Sequence, residues 1–135
     1  IVILRQQQYY EPTSKKVTFN FGEKPKTNID GSTLNDFKDY RVYYLKYPSL
    51  TQEEKAKERS KILDSKLKNL KFIANVNYEQ QGQTFLVDLS STDPEQGNVY
   101  LFVIVASDLL NNPKEEQFKV KELGTAETTI LQLTI

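Results

Sequence analysis

Hydrophobic and polar residues are distributed along this chain in a way that predicts a sheet-rich domain. The longest apolar run is 99–106, which consists mostly of β-branched and aromatic residues and follows the turn-forming residues 93–98. A run without polar positions predicts a strand that is buried on both faces, at the centre of a sheet. The remaining elements are expected to pack around this strand.

Shorter segments in which every second residue is apolar predict further strands, because alternate side chains of a strand point to opposite faces. In the first of them, Val17, Phe19 and Phe21 share one face. From residue 72 onward we expect an antiparallel meander, with a hairpin turn at 79–82. The predicted strands are 15–21, 72–78, 84–90, 99–106, 117–123 and 128–135.

Two segments have helical spacing. Thr51 and Glu54 form a capping box, and the apolar positions that follow recur every three or four residues, so a helix is predicted over 51–70. A first helix is predicted over 34–45, although residues 42–45 also suit a strand. The order of elements is therefore strand, helix, long helix and meander.

This order predicts an α+β fold, with helices packed on one face of a curved antiparallel sheet. We expect a single domain over 15–135, preceded by an N-terminal segment over 1–14. Residues 1–4 are apolar and are followed by Arg5 and two tyrosines, as at the end of a transmembrane helix. Residues 1–14 are therefore predicted to be membrane-proximal, and an ordinary edge strand or the remnant of a tag is the alternative.

The composition argues against several classes of function. Basic and acidic residues balance at 18 each, so the chain lacks the positive field of a general nucleic-acid binder. There is neither Cys nor His, which removes thiolate chemistry, disulfides, the commonest general base and the commonest metal ligand. The sequence predicts no catalytic, cofactor-binding or metal-binding residue, and a non-enzymatic protein.

Three motifs suggest chemistry, but each has a simpler structural interpretation. Ser65-Lys66-Leu67-Lys68 fits the Ser-x-x-Lys pattern, yet the Ser-Asp-Asn and Lys-Thr-Gly partner motifs do not occur. The acids at 93–95 and 115–116 are interpreted as loop residues, with a glycosidase-type carboxylate pair as the alternative. The lysines of 51–70 are interpreted as a solvated helix face, with contact to lipid or nucleic acid as the alternative.

Four of the eight tyrosines lie close together in the sequence. Tyrosine suits a partly wet apolar surface, because its ring packs while its hydroxyl stays hydrated. We therefore predict a protein interface or a pocket mouth at these residues, and plain packing of the first helix onto the sheet is the alternative. The predicted interface residues are Tyr40, Tyr43, Tyr44 and Tyr47.

Segments 72–76, 82–89, 99–105 and 112–121 follow one another in a recognisable layout, in which Asn112-Pro113 precedes a Phe-x-Val strand. This layout resembles the extracytoplasmic domain of VirB-type, TcpC-like and TraH-like assembly subunits of conjugation machines. The resemblance implies a nuclear-transport-factor-2-like, or cystatin-like, fold. It also implies a scaffold function in a Gram-positive conjugation (type IV secretion) channel that transfers plasmids.

Partners and location follow from the same resemblance. It implies contacts with other secretion-channel proteins, an extracytoplasmic position at the cell membrane, and a membrane tether through an N-terminal helix outside this sequence. The balance of charge argues against a specific nucleic-acid partner, and whether the chain forms a homo-oligomer stays open. Two other functions also stay open: a small-molecule or lipid-binding module with a pocket between helices and sheet, and an enzyme that uses carboxylates or lysines in such a cavity.

Overall fold

A computed structural model describes residues 7–20, 31–77, 84–123 and 128–135. Within these residues the chain forms seven strands and two α-helices, with short 3₁₀ turns at Leu67–Asn69 and Ser90–Thr92. The elements are β1 (Gln7–Glu11), β2 (Lys16–Asn20), β3 (Phe37–Tyr47), α1 (Gln52–Leu63), β4 (Lys71–Val76), β5 (Thr84–Asp88), β6 (Val99–Asp108), α2 (Val120–Leu123) and β7 (Thr128–Thr134).

The strands form two antiparallel sheets. The four-stranded sheet has the order β4-β3-β6-β7, and the three-stranded sheet has the order β1-β2-β5. The predicted α+β class with antiparallel sheets is confirmed. Curvature of the sheet and the nuclear-transport-factor-2-like arrangement stay predictions.

Strand β6 lies between β3 and β7, and all its residues from Val99 to Ser107 are buried. Its even-numbered side chains pack towards the three-stranded sheet, where the rings of Phe102 and Phe19 meet edge to face with centroids 5.4 Å apart. Its odd-numbered side chains pack on the opposite side with Ile62 of α1 and Val120 of α2. The prediction that 99–106 is hidden on both faces is confirmed.

The predicted helix over 34–45 is wrong, because this segment forms most of β3. Residues of β3 face both apolar clusters: Tyr40 and Val42 lie on the side of the three-stranded sheet, and Tyr43 on the other side. Strand β3 pairs with β6 along almost its entire length. This long-range pairing outweighs the weak local preference for a helix.

The helix predicted over 51–70 begins as expected but is shorter. The capping box is confirmed: Glu54 N–H donates to Thr51 Oγ1 over 3.2 Å, and Thr51 N–H donates to Glu54 Oε1 over 2.9 Å. Helix α1 ends at Leu63, and just beyond it the Ser65 carbonyl accepts the Val120 N–H of α2 over 2.8 Å.

The predicted meander is wrong in its pairing. Strand β4 pairs with β3, whereas β5 pairs with β2 in the other sheet. The predicted turn at 79–82 lies outside the described residues. The strand predicted over 117–123 is also wrong, because Lys119 forms only an isolated bridge with Lys66 and the next four residues form α2.

The N-terminal segment contributes to the three-stranded sheet through β1, which pairs with β2 from Gln7 to Glu11. Residues 1–6 lie outside the described residues, so the membrane-proximal prediction stays a prediction. Among the described residues, no helix has the length and apolar character needed to cross a membrane.

Candidate functional site

A group of polar side chains surrounds Arg41 on the α-helical side of the four-stranded sheet. The Arg41 side chain is only 11% exposed. Its Nε donates to Ser107 Oγ over 2.7 Å, its Nη1 donates to Tyr43 Oη over 3.3 Å, and its Nη2 donates to the Pro113 carbonyl. Tyr43 Oη in turn donates to Glu115 Oε1 over 2.6 Å. The cluster joins β3 and β6 to the loop that follows β6.

The electrostatics of this cluster fit an anchor better than a reactive site. Burial and the hydrogen bond to Glu115 raise the pKa of Tyr43 well above its ordinary value, so its phenol stays protonated. Burial also raises the pKa of Asp39, against the opposing effect of Lys38 and Arg41. Each of the three guanidinium nitrogens donates a hydrogen bond within the chain, so the side chain is held against the sheet and the loop by its own partners.

The loop over residues 109–118, which we call the β6–α2 loop, is held mainly by Asp108. The carboxylate of Asp108 accepts the N–H groups of Leu110 and Asn112 over 2.9 Å and 2.8 Å, and the side-chain amide of Asn112 over 3.1 Å. Burial raises the pKa of Asp108, but these hydrogen bonds outweigh it and leave the pKa below its ordinary value. The conformation of the turn is therefore linked to an ionised carboxylate.

Two lysines and a backbone contact complete the attachment of the loop. Lys38 Nζ donates to Asn111 Oδ1, and Lys114 Nζ donates to the Leu110 carbonyl, each over 2.5 Å. The Leu109 N–H donates to the Asp36 carbonyl over 2.9 Å. Despite these bonds, Leu109 is 65% exposed and Leu110 is 72% exposed. We call these two side chains the leucine tip.

A second exposed apolar surface lies on the three-stranded sheet. Tyr9, Thr18 and Leu86 stand opposite one another on β1, β2 and β5. Because Val17 and Phe19 are buried in the core, the residue between them points away from it. Tyr9 is 63% exposed and Leu86 is 59% exposed.

A row of charged residues borders this apolar row. Glu11, Lys16 and Asp88 occupy the next outward-facing register position on the same three strands. Asp88 Oδ1 accepts Ser90 Oγ over 2.6 Å and Ser90 N–H over 2.8 Å, and these bonds lower the pKa of Asp88. We call the surface formed by Tyr9, Thr18, Leu86, Glu11, Lys16 and Asp88 the outer face.

The structure does not bring the four predicted interface tyrosines together. Tyr40 and Tyr43 are buried on opposite sides of β3. Tyr44 is half-buried and its ring lies 6.1 Å from that of Tyr100. Tyr47 Oη donates to Glu58 Oε2 of α1 over 3.0 Å, and burial together with this bond raises the pKa of Tyr47 to about 12. Packing accounts for the positions of these side chains.

The other motifs are also placed by the structure. Ser65 Oγ donates to the Lys61 carbonyl over 3.0 Å, which is a local bond at the end of α1. Glu115 binds Tyr43, while Asp93 lies in the turn before β6. In the part of the chain that the structure describes, no group of three or more acidic side chains has the arrangement of a metal site.

Sequence reasoning missed both exposed apolar surfaces, although each leaves a signal. Leu109 and Leu110 are two large apolar residues within a turn whose other residues are mainly polar. Leu86 occupies a position of β5 where the alternation predicts a polar residue. These residues can be recognised as exposed only once the buried and exposed faces of the strands are known.

Comparison of the chain with protein-family models, with curated proteins and with solved structures finds no match. The resemblance to conjugation subunits therefore stays a prediction from the sequence pattern. Among the described residues, the outer face, the leucine tip and the hydrogen-bonded cluster around Arg41 are the features that bear on function.

Proposed function

We propose that this chain is a non-enzymatic domain that binds a protein partner through the outer face. The observation that carries the proposal is the exposure of Tyr9 and Leu86 on either side of Thr18 in one row of a sheet. An antiparallel sheet with one solvated face normally carries polar side chains there. Two large apolar side chains at matched register positions favour a surface that is covered by a partner.

The chemistry of the outer face indicates what kind of surface it fits. Tyrosine is enriched at protein interfaces, because its ring gives contact area at a small cost in conformational entropy. The bordering row places two carboxylates, Glu11 and Asp88, on either side of Lys16. We therefore expect a partner with a flat apolar strip that is bordered by basic residues.

The size of the outer face indicates a modest affinity. Three strands of five residues cover roughly 15 Å by 17 Å, from the usual strand spacing and rise. A standard interface buries roughly 800 Å² on each partner. The outer face would thus form the centre of the protein–protein interface, and the residues around it would form the rim.

On the sequence resemblance we propose that the partner is another protein of a conjugation or type IV secretion channel, outside the membrane to which this domain is tethered. The order of elements on which the resemblance rests differs from the observed one, since β4 and β5 belong to different sheets.

The experiment that tests the proposal compares two double variants. Partners are first identified by crosslinking in cells that make the full-length protein, and binding is then measured between purified proteins. Tyr9→Ser with Leu86→Ser should weaken binding at least about tenfold, as expected for the centre of an interface. Leu109→Ser with Leu110→Ser removes two exposed apolar side chains elsewhere and should leave binding unchanged.

Thermal unfolding of both double variants checks that the fold is kept. Unchanged binding by the outer-face variant would refute the proposed surface, and recovery of no envelope-complex partner would refute the conjugation assignment. Sedimentation of the purified chain shows whether the partner is a second copy of this chain.

A further inference from the structure

We propose that the leucine tip inserts into the interfacial region of a lipid bilayer, so that this chain touches a membrane at a site distinct from the outer face. The site consists of Leu109 and Leu110 at the end of the central strand, with Lys38 and Lys114 beside them. The inference does not depend on the protein partner proposed above.

The first argument is that the loop displays its leucines in a defined conformation. Asp108, Asp36 and Lys114 all bond to backbone groups of the two leucines. Arg41 holds the far end of the loop at the Pro113 carbonyl. These hydrogen bonds fix the backbone of the loop while two adjacent large apolar side chains stay exposed at its end.

The second argument is the small size of the apolar surface. Two leucine side chains expose far less area than the roughly 800 Å² per partner of a standard protein interface. A bilayer can take up single apolar side chains without a complementary surface, and the affinity that it gives scales with the apolar area that enters. The leucine tip is therefore better suited to lipid than to a rigid protein surface.

The third argument is the arrangement of charge beside the tip. Each lysine ammonium has three N–H donors, and the described hydrogen bonds of Lys38 and Lys114 use one of them each. Both ammonium groups lie at exposed positions from which they can approach headgroup phosphates, while the Asp108 carboxylate is occupied within the turn. Asp36 and Glu115 are half-buried near these lysines and Glu116 is exposed in the same loop, so the lysine charges are offset and the leucines must supply most of the attraction.

The absence of tryptophan from the chain allows a direct test. Leu110→Trp introduces a single tryptophan at the tip, and Leu86→Trp introduces one on the outer face as the matched control. Each variant of the 135-residue chain is mixed with phosphatidylcholine vesicles, with and without phosphatidylglycerol, and tryptophan emission is recorded. We expect the emission of Leu110→Trp to move to shorter wavelength and to be quenched by brominated acyl chains, and that of Leu86→Trp to stay unchanged.

A second measurement uses vesicle flotation of the chain with its natural residues and of the Leu109→Ser/Leu110→Ser variant. The double variant should partition into vesicles about tenfold less, because the apolar area that enters the bilayer is lost. The proposal is overturned if Leu110→Trp shows no shift with either vesicle, if both tryptophans shift equally, or if the double variant floats as well as the unmodified chain. It is also overturned if a protein partner shifts the Leu110→Trp emission without lipid. None of these outcomes depends on the outer-face assay, which contains no vesicles.

Discussion

Arg41 carries its charge in a largely buried position, where the chain itself supplies its partners. It donates to a serine hydroxyl, a tyrosine hydroxyl and a backbone carbonyl, and its Nη1 lies 3.9 Å from Glu115 Oε1. A buried ion network of this kind contributes little net stability when complete, but it is costly to break, because the remaining polar groups lose their partners. The role of Arg41 is thus to fix the β6–α2 loop to the sheet.

We predict that Arg41→Gln lowers the free energy of unfolding by about 2–4 kcal/mol, because Ser107, Tyr43 and the Pro113 carbonyl lose a charged donor. Urea unfolding followed by circular dichroism measures the change. Lys57→Gln, at an exposed position of α1, is the control and should change stability by less than about 0.5 kcal/mol. Equal effects of the two substitutions would contradict the anchoring role.

Asp108 makes the stability of the loop dependent on pH. Its pKa is lowered in the folded protein, so its ionised form stabilises the fold above the unfolded-state value of about 3.9. This contribution is lost as the pH falls through the lower, folded-state pKa. We predict that Asp108→Asn lowers the free energy of unfolding by about 1 kcal/mol near pH 7, and by progressively less below about pH 4.

Urea unfolding at several pH values tests this expectation. Asp93→Asn is a suitable control, since Asp93 is an exposed acid in a left-handed conformation that asparagine tolerates. The free energies of unfolding of Asp108→Asn and the unmodified chain should differ less in acid than at neutral pH. A difference that stays constant with pH would contradict the role of the ionised carboxylate.

At the scale of elements, features that depend on adjacent residues could be predicted from the sequence, whereas the pairing of distant strands could not. The unbroken apolar run of β6 and the capping box of α1 are properties of adjacent residues, and both predictions are confirmed. Strand β3 was mistaken for a helix because its aromatic residues fit both periods, and only pairing with β6 decides between them. Similarly, no local signal shows that β5 joins β2 rather than β4.

The same distinction explains why the exposed surfaces were missed. An exposed leucine is recognised only when the direction of its side chain is known, and that direction depends on the register of the strands. The tyrosines that suggested an interface serve mainly to fill space around β3, where Tyr40 and Tyr43 are buried on opposite sides. The tyrosine residue type suggested an interaction surface here, but whether each side chain is buried depends on which strands pair with β3.

At the scale of the whole molecule, β6 belongs to both apolar clusters, which couples them. Tyr100, Phe102 and Ile104 contribute to one cluster, and Leu101 and Val103 to the other. A cavity on either side of β6 therefore weakens the strand that supports the opposite side. The layers are expected to unfold together rather than one after the other.

We predict that Leu101→Ala and Phe102→Ala each destabilise the whole chain, by about 2–5 and 3–5 kcal/mol respectively, because each leaves a cavity in a packed cluster. Far-ultraviolet circular dichroism and tyrosine fluorescence should report the same unfolding midpoint in both variants. Leu86→Ala is a control with an exposed side chain and should change the midpoint little. Separate transitions for the two probes would show that the clusters unfold independently.

The division of strands between the two sheets has a consequence for how the chain can be cut. Each sheet takes strands from both sides of the connection between β4 and β5: β1 and β2 need β5, and β3 and β4 need β6. A polypeptide that ends there is left with exposed strand edges and only part of each apolar cluster. Neither piece is then a folding unit, and the two together form a natural pair for fragment complementation, in which structure returns only when both are present.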